Sequence, residues 1–292
     1  MDKLSTLLHQ YPLRAGVFYA GALCGVHGFP DDAQRGHLHL LRAGAVQIRG
    51  ISPHTLALDQ PGLLFLPRPG PHRLIVPVEA SADMVCGTVQ FGLGGWNPLT
   101  STLPDAVILP LSAFSGLASM VQAMFDEAFE QRFGRQAVLD RYCELIVIQM
   151  LRYCAEKGLA QGGTLAGLAH PRLSKVLQAI HDEPARNWRL HDMAALAGMS
   201  RARFVPLFRE VTGSTPADYL AAWRIATAQR LLRSGRALKQ VVHEVGYANT
   251  SAFHRAFVRK TGLAPSIWLK GPHPEPLNSH TEMNEHHIET SG

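Results

Sequence analysis

The sequence predicts an α+β protein in two halves: an N-terminal β-barrel with a helical connector, then an all-α C-terminal domain with two helix–turn–helix units. Three observations carry this. Short β segments broken by glycine and proline crowd residues 14–91, helical periodicity takes over from Ser112, and one helix–glycine–helix plan occurs twice after His170. The chain has 292 residues, enough for two domains, and its 46% hydrophobic against 17% charged content describes a folded protein. The expected organisation is a barrel over 1–110, a connector over 111–157, a linker over 158–169, a helical domain over 170–270 and a disordered tail over 271–292.

The barrel is expected from strands at Arg14–Cys24, Leu38–Arg42, Val46–Arg49, Leu63–Leu66, Leu74–Val78 and Val85–Phe91. Gly25, Gly44, Gly50, Pro61-Gly62, Pro67 and Pro69 to Pro71 supply the turns. After a loop at 92–110, Ser112–Phe133 and Gln136–Glu156 show apolar residues at three- and four-residue intervals. The stripes run through Leu117, Val121, Met124, Phe125, Ala128 and Phe129, then Leu139, Tyr142, Leu145, Ile146 and Met150. Two such helices suit a connector and a homodimer surface. Gly158–Ala169, with four glycines, reads as the linker, and the tail from Gly271 is rich in Pro, His and Glu.

Charge is placed unevenly. Residues 170–270 hold 16 Lys+Arg against 6 Asp+Glu, whereas 1–169 hold 12 against 13. A basic segment beside a neutral one points to a polyanionic partner for the C-terminal half. The N-terminus MDKLSTLLHQYPLRAG lacks a signal-peptide stretch, and no apolar run reaches transmembrane length, so a soluble, cytoplasmic protein with no membrane partner is expected. Cys24, Cys86, Cys143 and Cys154 form no CxxC pair and are expected as thiols.

Within the helical half, LHDMAALAGMSRARFVPLF reads as a helix, a turn at Gly198 and a second helix N-capped by Ser200. Phe204, Leu207 and Phe208 face inward, leaving Arg201, Ala202, Val205 and Arg209 outward. LKQVVHEVGYANTSAFHRAF repeats the plan with a turn at Gly246-Tyr247, Asn249 as cap, and Phe253 and Phe257 inward. The two leading phenylalanines are 49 residues apart. A helix over Pro216–Arg233 would span about 27 Å, near the roughly 34 Å turn of B-DNA, so two reading helices can meet successive major grooves of double-stranded DNA.

The stretches LAGMSRARFVPLFREVTGSTPADYL, WRIATAQRLL and VGYANTSAFHRAFVRKTGLAP resemble the DNA-binding domain of AraC/XylS-type transcriptional regulators, over about 100 residues. The resemblance implies that Arg201, Ala202, Val205 and Pro206 face DNA from the first reading helix, and Ser251, Ala252, His254 and Arg255 from the second, beside Thr250. Arg255 is the foremost base or phosphate contact, while Arg201, Arg209 and Arg259 are expected on phosphates. The chain departs from the family at Val205 and Pro206, where polar readers are common, and at Trp268-Leu269. The first unit is therefore expected to read through methyl contacts or DNA shape.

GHLHLLRAGAVQIRG and PGLLFLPRPGPHRL resemble the two motifs of a cupin barrel. With DKLSTLL, VCGTVQF and TLPDAVILPL, residues 1–155 are similar to the cupin-type sensor of some AraC-type regulators. Cupins often hold a metal with two histidines, a glutamate and a later histidine. Here His37, His39 and His72 supply imidazoles but no glutamate follows His39, so His39 and His72 remain candidates for a barrel metal ion without an enzymatic centre. Cys24 and Cys86, each next to a glycine near a strand end, are candidate redox-sensing thiols. They resemble cysteines of the reactive-chlorine-responsive, RclR-like members. Cys143 and Cys154 are expected to be structural. The family implies an activator that contacts RNA polymerase and answers an oxidant or small-molecule effector. Two alternatives stand beside this: a cupin metalloenzyme fused to a DNA-binding module, and an architectural DNA binder.

Overall fold

The computed structural model describes residues 3–29, 35–51, 55–92, 99–100, 103–130, 132–159, 162–271 and 284–285. The chain divides into two compact units. Leu13–Gln90, Leu103–Cys154 and Glu275–Gly292 form one, and Met1–Pro12, Phe91–Thr102 and Ala155–Pro274 the other.

In the first unit the strands are β1 (Leu13–Leu23), β2 (Gly25–Phe29), β3 (Gly36–Ala43), β4 (Val46–Arg49), β5 (Leu56–Leu58), β6 (Gly62–Leu66), β7 (His72–Val76), β8 (Ala82–Phe91) and β9 (Val107–Pro110). They make two five-stranded sheets, β1-β8-β3-β6-β9 and β10-β2-β7-β4-β5, where β10 is Asn284–Glu285. Both sheets contribute to one core: Leu41, Leu64, Leu66, Met84 and Cys86 come from the first, Phe29, Ile48, Leu58, Leu74 and Val76 from the second.

Strand β3 is buried from Gly36 to Leu41 without alternation. The cause is burial of both faces. Residues such as Leu41 turn into the barrel, while on the outside α2 (Leu117–Phe129) packs against β3 and α3 (Arg135–Glu156) against β8. Arg42 at the end of β3 lays its guanidinium over Phe125 and Phe129, 4.9 and 4.7 Å from the ring centres. A Cβ on Gly87 of β8 would sit 3.1 Å from the Cys143 sulfur of α3. The edge strand β1 is stitched down as well: Val17 N–H donates to Asp140 (3.0 Å), and the Gln136 amide donates to the Val17 carbonyl (2.8 Å). An unpaired sheet edge is thereby covered by helix side chains.

The connector helices fall close to expectation, but α2 stops at Phe129, and Phe133 lies exposed in the turn. Leu145 also faces out, while Cys143 and Cys154 are buried in α3. Of the tail expected to be disordered from Gly271, Asn284 and Glu285 form a short strand antiparallel to β2; apart from Gly271, its other residues lie outside those described.

The second unit comprises α1 (Lys3–Gln10), α4 (Gly163–Ala169), α5 (Leu173–Asp182), α6 (Leu190–Leu196), α7 (Arg201–Thr212), α8 (Pro216–Arg233), α9 (Leu238–Glu244), α10 (Thr250–Thr261) and α11 (Pro265–Lys270). Two expectations change here. Residues 163–169 are not linker but helix α4, with Leu165 and Leu168 buried. A Cβ on Gly167 would lie 2.5 Å from Leu177 of α5, so glycine here serves close packing rather than flexibility. The N-terminal segment, expected with the barrel, belongs to the helical unit: Tyr11 is buried with its ring edge-on to Trp223, centroids 5.6 Å apart. A hydrophobic tyrosine in a polar N-terminal sequence carries no signal of which core it will join.

Candidate DNA-binding surface and barrel interior

Helices α6 and α7 form one helix–turn–helix, and α9 and α10 form the other. Gly198 (φ +63°) and Gly246 (φ +83°) make the two turns in the left-handed region that suits glycine. Helix α7 starts after Ser200, which has extended backbone but makes no side-chain cap bond. Helix α10 starts after Asn249, whose side chain accepts from Ala252 N–H at 2.8 Å. Phe204 and Phe208 anchor α7, and Phe253 and Phe257 anchor α10, all fully buried.

The opposite faces are open. On α7, Arg201, Ala202, Pro206 and Arg209 are exposed and Val205 half-buried. On α10, Thr250, Ser251, His254, Arg255 and Arg259 are exposed and Ala252 half-buried. Leu207, expected inward, is only half-buried. Arg203 and Lys260 add exposed cations to the two helices that the sequence reading passed over, since a lysine or arginine in such a segment marks a face only once the core stripe is known. Pro206 lies inside α7, where it removes the backbone N–H that would bond the Ala202 carbonyl.

Helix α8 joins the two helix–turn–helix units. Thr215 caps α8 by accepting from Asp218 N–H (3.2 Å), with Pro216 at the first helical position. Trp223 is fully buried against His181, ring centroids 3.5 Å apart. His181 Nε2 and the Thr164 hydroxyl both bond the Tyr219 hydroxyl, at 2.8 and 3.0 Å. Burial holds His181 neutral and lowers its pKa to about 3.

In the barrel, His39 pairs in register with Cys86 and Leu64, and His37 with Thr88 and Leu66. Directly paired residues share a face, so His37, His39 and Cys86 all point into the interior. His72 joins them from the other sheet: its Nε2 lies 2.9 Å from His39 Nε2, and the His37 ring centre is 4.9 Å from that of His72. Phe29 stacks on His72 at 4.7 Å. Desolvation lowers His37 to about 3 and His72 to about 4, and drives His39 well below its usual value. All three are therefore neutral. His72 donates Nδ1–H to the Gly70 carbonyl (3.2 Å), which leaves its Nε2 bare to accept from His39 Nε2–H.

This bond bears on the metal expectation. Two imidazoles on one tetrahedral zinc would hold their nitrogens about 3.3 Å apart, given Zn–N bonds near 2.0–2.1 Å. The 2.9 Å separation is that of a shared proton. Among the described residues no three His, Cys, Asp or Glu side chains gather in a metal-holding group.

The two candidate redox thiols differ sharply. Cys24 is exposed at the one-residue junction of β1 and β2, where its carbonyl accepts from the His27 imidazole at 2.7 Å. Cys86 is fully buried in the middle of β8 rather than near its end, and burial pushes its thiol far up. Access for an oxidant therefore fits Cys24 and not Cys86. The sequence could not separate them, because a VCGT strand with both faces covered reads like one with a single covered face.

Two helix–turn–helix units with open, arginine-bearing second helices, joined by one 18-residue helix and accompanied by a β-barrel domain, define a DNA-binding regulator. Residues 2–156 match the family described as Cupin, and 193–271 that described as Helix-turn-helix domain. The chain is 32% identical over 235 residues to the "RCS-specific HTH-type transcriptional activator RclR" of Escherichia coli, covering 78% of this chain and 81% of that one. An "Uncharacterized HTH-type transcriptional regulator" of Haemophilus influenzae is 26% identical over 92% of this chain and 99% of its own length. Among solved structures, the DNA-binding domain of AdpA in complex with a target DNA aligns at 28% identity over 35% of this chain and 92% of that one, with a TM-score of 0.33. The chain belongs to the AraC family of transcriptional regulators, with a cupin-like N-terminal domain. It is a regulator, not a metalloenzyme joined to a DNA-binding module. Among the described residues no helix is long and apolar enough to cross a membrane.

Proposed function

We propose that the protein is a sequence-specific transcriptional activator of the cytoplasm that binds promoters as a homodimer, engages RNA polymerase, and answers an oxidant or small molecule met by its barrel. The observation that carries the DNA-reading half is the pair of open helix faces on α7 and α10. In this reading His254 and Arg255, beside Thr250 and Ser251, address base edges in the major groove. Ala202 and Val205 meet thymine methyl groups, and Arg201, Arg209 and Arg259 hold phosphates. Self-association is favoured by α3, which turns Val138 and Leu145 outward seven residues apart, with Phe133 exposed nearby.

The similar E. coli protein carries the name of an RCS-specific activator, which supports activation and an oxidant stimulus. The exposed Cys24 is the thiol an oxidant reaches first. Its thiolate is oxidised to a sulfenic acid while a peroxide is reduced to water or hypochlorous acid to chloride; condensation with a second thiol then releases water and forms a disulfide. Cys86 serves as that second thiol only once the interior opens, and this opening is the event that biases the regulator between states. A metal at His39 and His72 would have to displace the proton they share and draw their nitrogens apart.

Genome-wide footprinting with and without hypochlorite tests the whole reading. Discrete promoters with stimulus-dependent occupancy are expected; even coverage without sequence preference would make the protein an architectural binder. Cys24→Ser is expected to abolish reporter induction by oxidant while promoter binding in vitro persists. Normal induction in that variant removes the thiol mechanism and leaves a small-molecule effector.

A further inference from the structure

The two helix–turn–helix units are joined by more than α8. The segment before α6, residues 183–188, is braced internally: Trp188 Nε1–H donates to the Glu183 carbonyl (2.9 Å), and the Arg186 guanidinium lies 4.4 Å from the Trp188 ring centre. From the middle of α8, Arg224 reaches this segment with two donors. Its Nε–H bonds the Pro184 carbonyl at 2.8 Å, and Nη2 bonds the Arg186 carbonyl at 3.0 Å. The same guanidinium lies over the Tyr247 ring of the second unit's turn, 5.6 Å from its centre.

The turn itself is pressed against the segment. A Cβ on Gly246 would lie 2.7 Å from Ala185 Cα, 2.9 Å from its carbonyl oxygen and 2.8 Å from Arg224 Nη2. Gly198 occupies the equivalent place in the first unit, and a Cβ there would meet nothing within 4 Å. Both glycines answer a positive φ, but only Gly246 also answers a backbone neighbour from the other half of the domain. A cleft beside this contact is lined by Leu190 and Met193 of the first unit and Tyr247, Ala256 and Arg259 of the second.

We propose that Arg224, with Gly246, is a positioning clamp that fixes the separation and phase of α7 and α10, so that the protein accepts one spacing between its two DNA half-sites. The proposal rests on α7 and α10 being the reading helices. The first unit packs on α8 through Tyr219 and the second through Ile225, Leu231 and Leu232, so α8 links the two only in series. The Arg224 fork and the Gly246 contact add a second, direct path between the units. Lysine cannot replace it, because an ammonium does not present two coplanar donors to two carbonyls.

The test uses the full chain. Sites are selected from a random duplex pool, and affinity is measured on the selected bipartite duplex and on versions with one or two base pairs inserted between half-sites. Each inserted pair moves the second groove by about 3.4 Å and turns it by about 35°. Wild type is expected to lose about tenfold or more per insertion, comparable to a mismatched base pair. Arg224→Met, which keeps the apolar stem, and Arg224→Lys are expected to bind the optimal duplex a few-fold more weakly and to lose only about two- to threefold per insertion. Gly246→Ala should flatten the spacing profile in the same way, and Gly198→Ala, strained at φ alone, should leave it steep. Circular dichroism verifies folding, and if Arg224→Met unfolds, Arg224→Lys and Gly246→Ala supply the same readings. A wild-type spacing profile in the Arg224 variants overturns the clamp alone. Selection of single half-sites by wild type overturns the reading-helix assignment and the clamp with it.

Discussion

Helix α10 starts from Asn249, which caps it through a side-chain bond; helix α7 starts from Ser200, which makes none and is followed six residues on by the internal Pro206. The second unit thus presents Ser251, His254 and Arg255 from a firmly started helix, while the first presents Arg201, Ala202 and Val205 from a looser one. Their cores differ as well. Phe204 and Phe208 join a chain of polar-tipped rings, with Tyr219 bonded to His181 and His181 stacked on Trp223. Phe253 and Phe257 instead sit among Ile225, Leu231, Leu232, Val241 and Val245. One repeated plan therefore carries two physical characters: a unit with a titratable core and few base-reading groups, and a unit with an apolar core and a capped reading helix. In the proposed reading, tolerant positioning falls to the first and sequence discrimination to the second.

The largest expected effect comes from acid. His181 is held at about 3, below its unfolded value near 6.5, so it contributes stability that is full above pH 6.5 and lost as pH falls toward 3. At pH 4.5 the loss is on the order of 2–3 kcal/mol. The second unit's core cluster contains no histidine. Hydrogen exchange followed by mass spectrometry should therefore show α5 and α7 losing protection before α10 between pH 6.5 and 4.5. Simultaneous loss would mean that the two units unfold as one body and that the difference in cores has no consequence. The barrel, with His37 and His72 lowered to about 3 and 4, should weaken over the same range.

Next in size is the difference between readers. Arg255→Ala is expected to cost about 1–3 kcal/mol of specific binding and to relax preference at one base position. Val205→Ala should change affinity by less than about 0.5 kcal/mol, as is usual away from special contacts. Electrophoretic titration on a selected site and on scrambled duplex separates the two. An equal loss from both substitutions would place sequence reading in both units and end the division proposed above.

Much of this was legible in sequence, and the exceptions have physical reasons. The α8 bounds and both turn glycines followed from periodicity and from the left-handed preference of glycine. The exposed faces of α7 and α10 followed from the phenylalanine stripes, because a fixed core face leaves its opposite face open. Residues 163–169 were misjudged because glycine content signals flexibility only where no neighbour presses close, and Leu177 does so at Gly167. Arg224 gave no signal, since an arginine in a connecting helix looks solvated until the carbonyls of Pro184 and Arg186 are seen beside it. Cys24 and Cys86 looked alike because the local strand context does not report that α3 covers the far side of β8.

The smallest effect bears most directly on the comparison. If α10 is the better-anchored reader, its cap must matter more than that of α7. Asn249→Ala removes a 2.8 Å bond to Ala252 N–H and exposes an unpaired helix donor, so it should cost about 1 kcal/mol, near the centre of measured cap losses. Ser200→Ala removes no such bond and should cost only a few tenths of a kcal/mol. The two substitutions leave the exposed faces of both helices chemically intact, so a thermal melt reads the cap and a DNA titration reads its consequence for recognition. A larger loss from Ser200→Ala would mean that the serine hydroxyl closes onto its helix in solution, and α7 would then stand as firmly as α10.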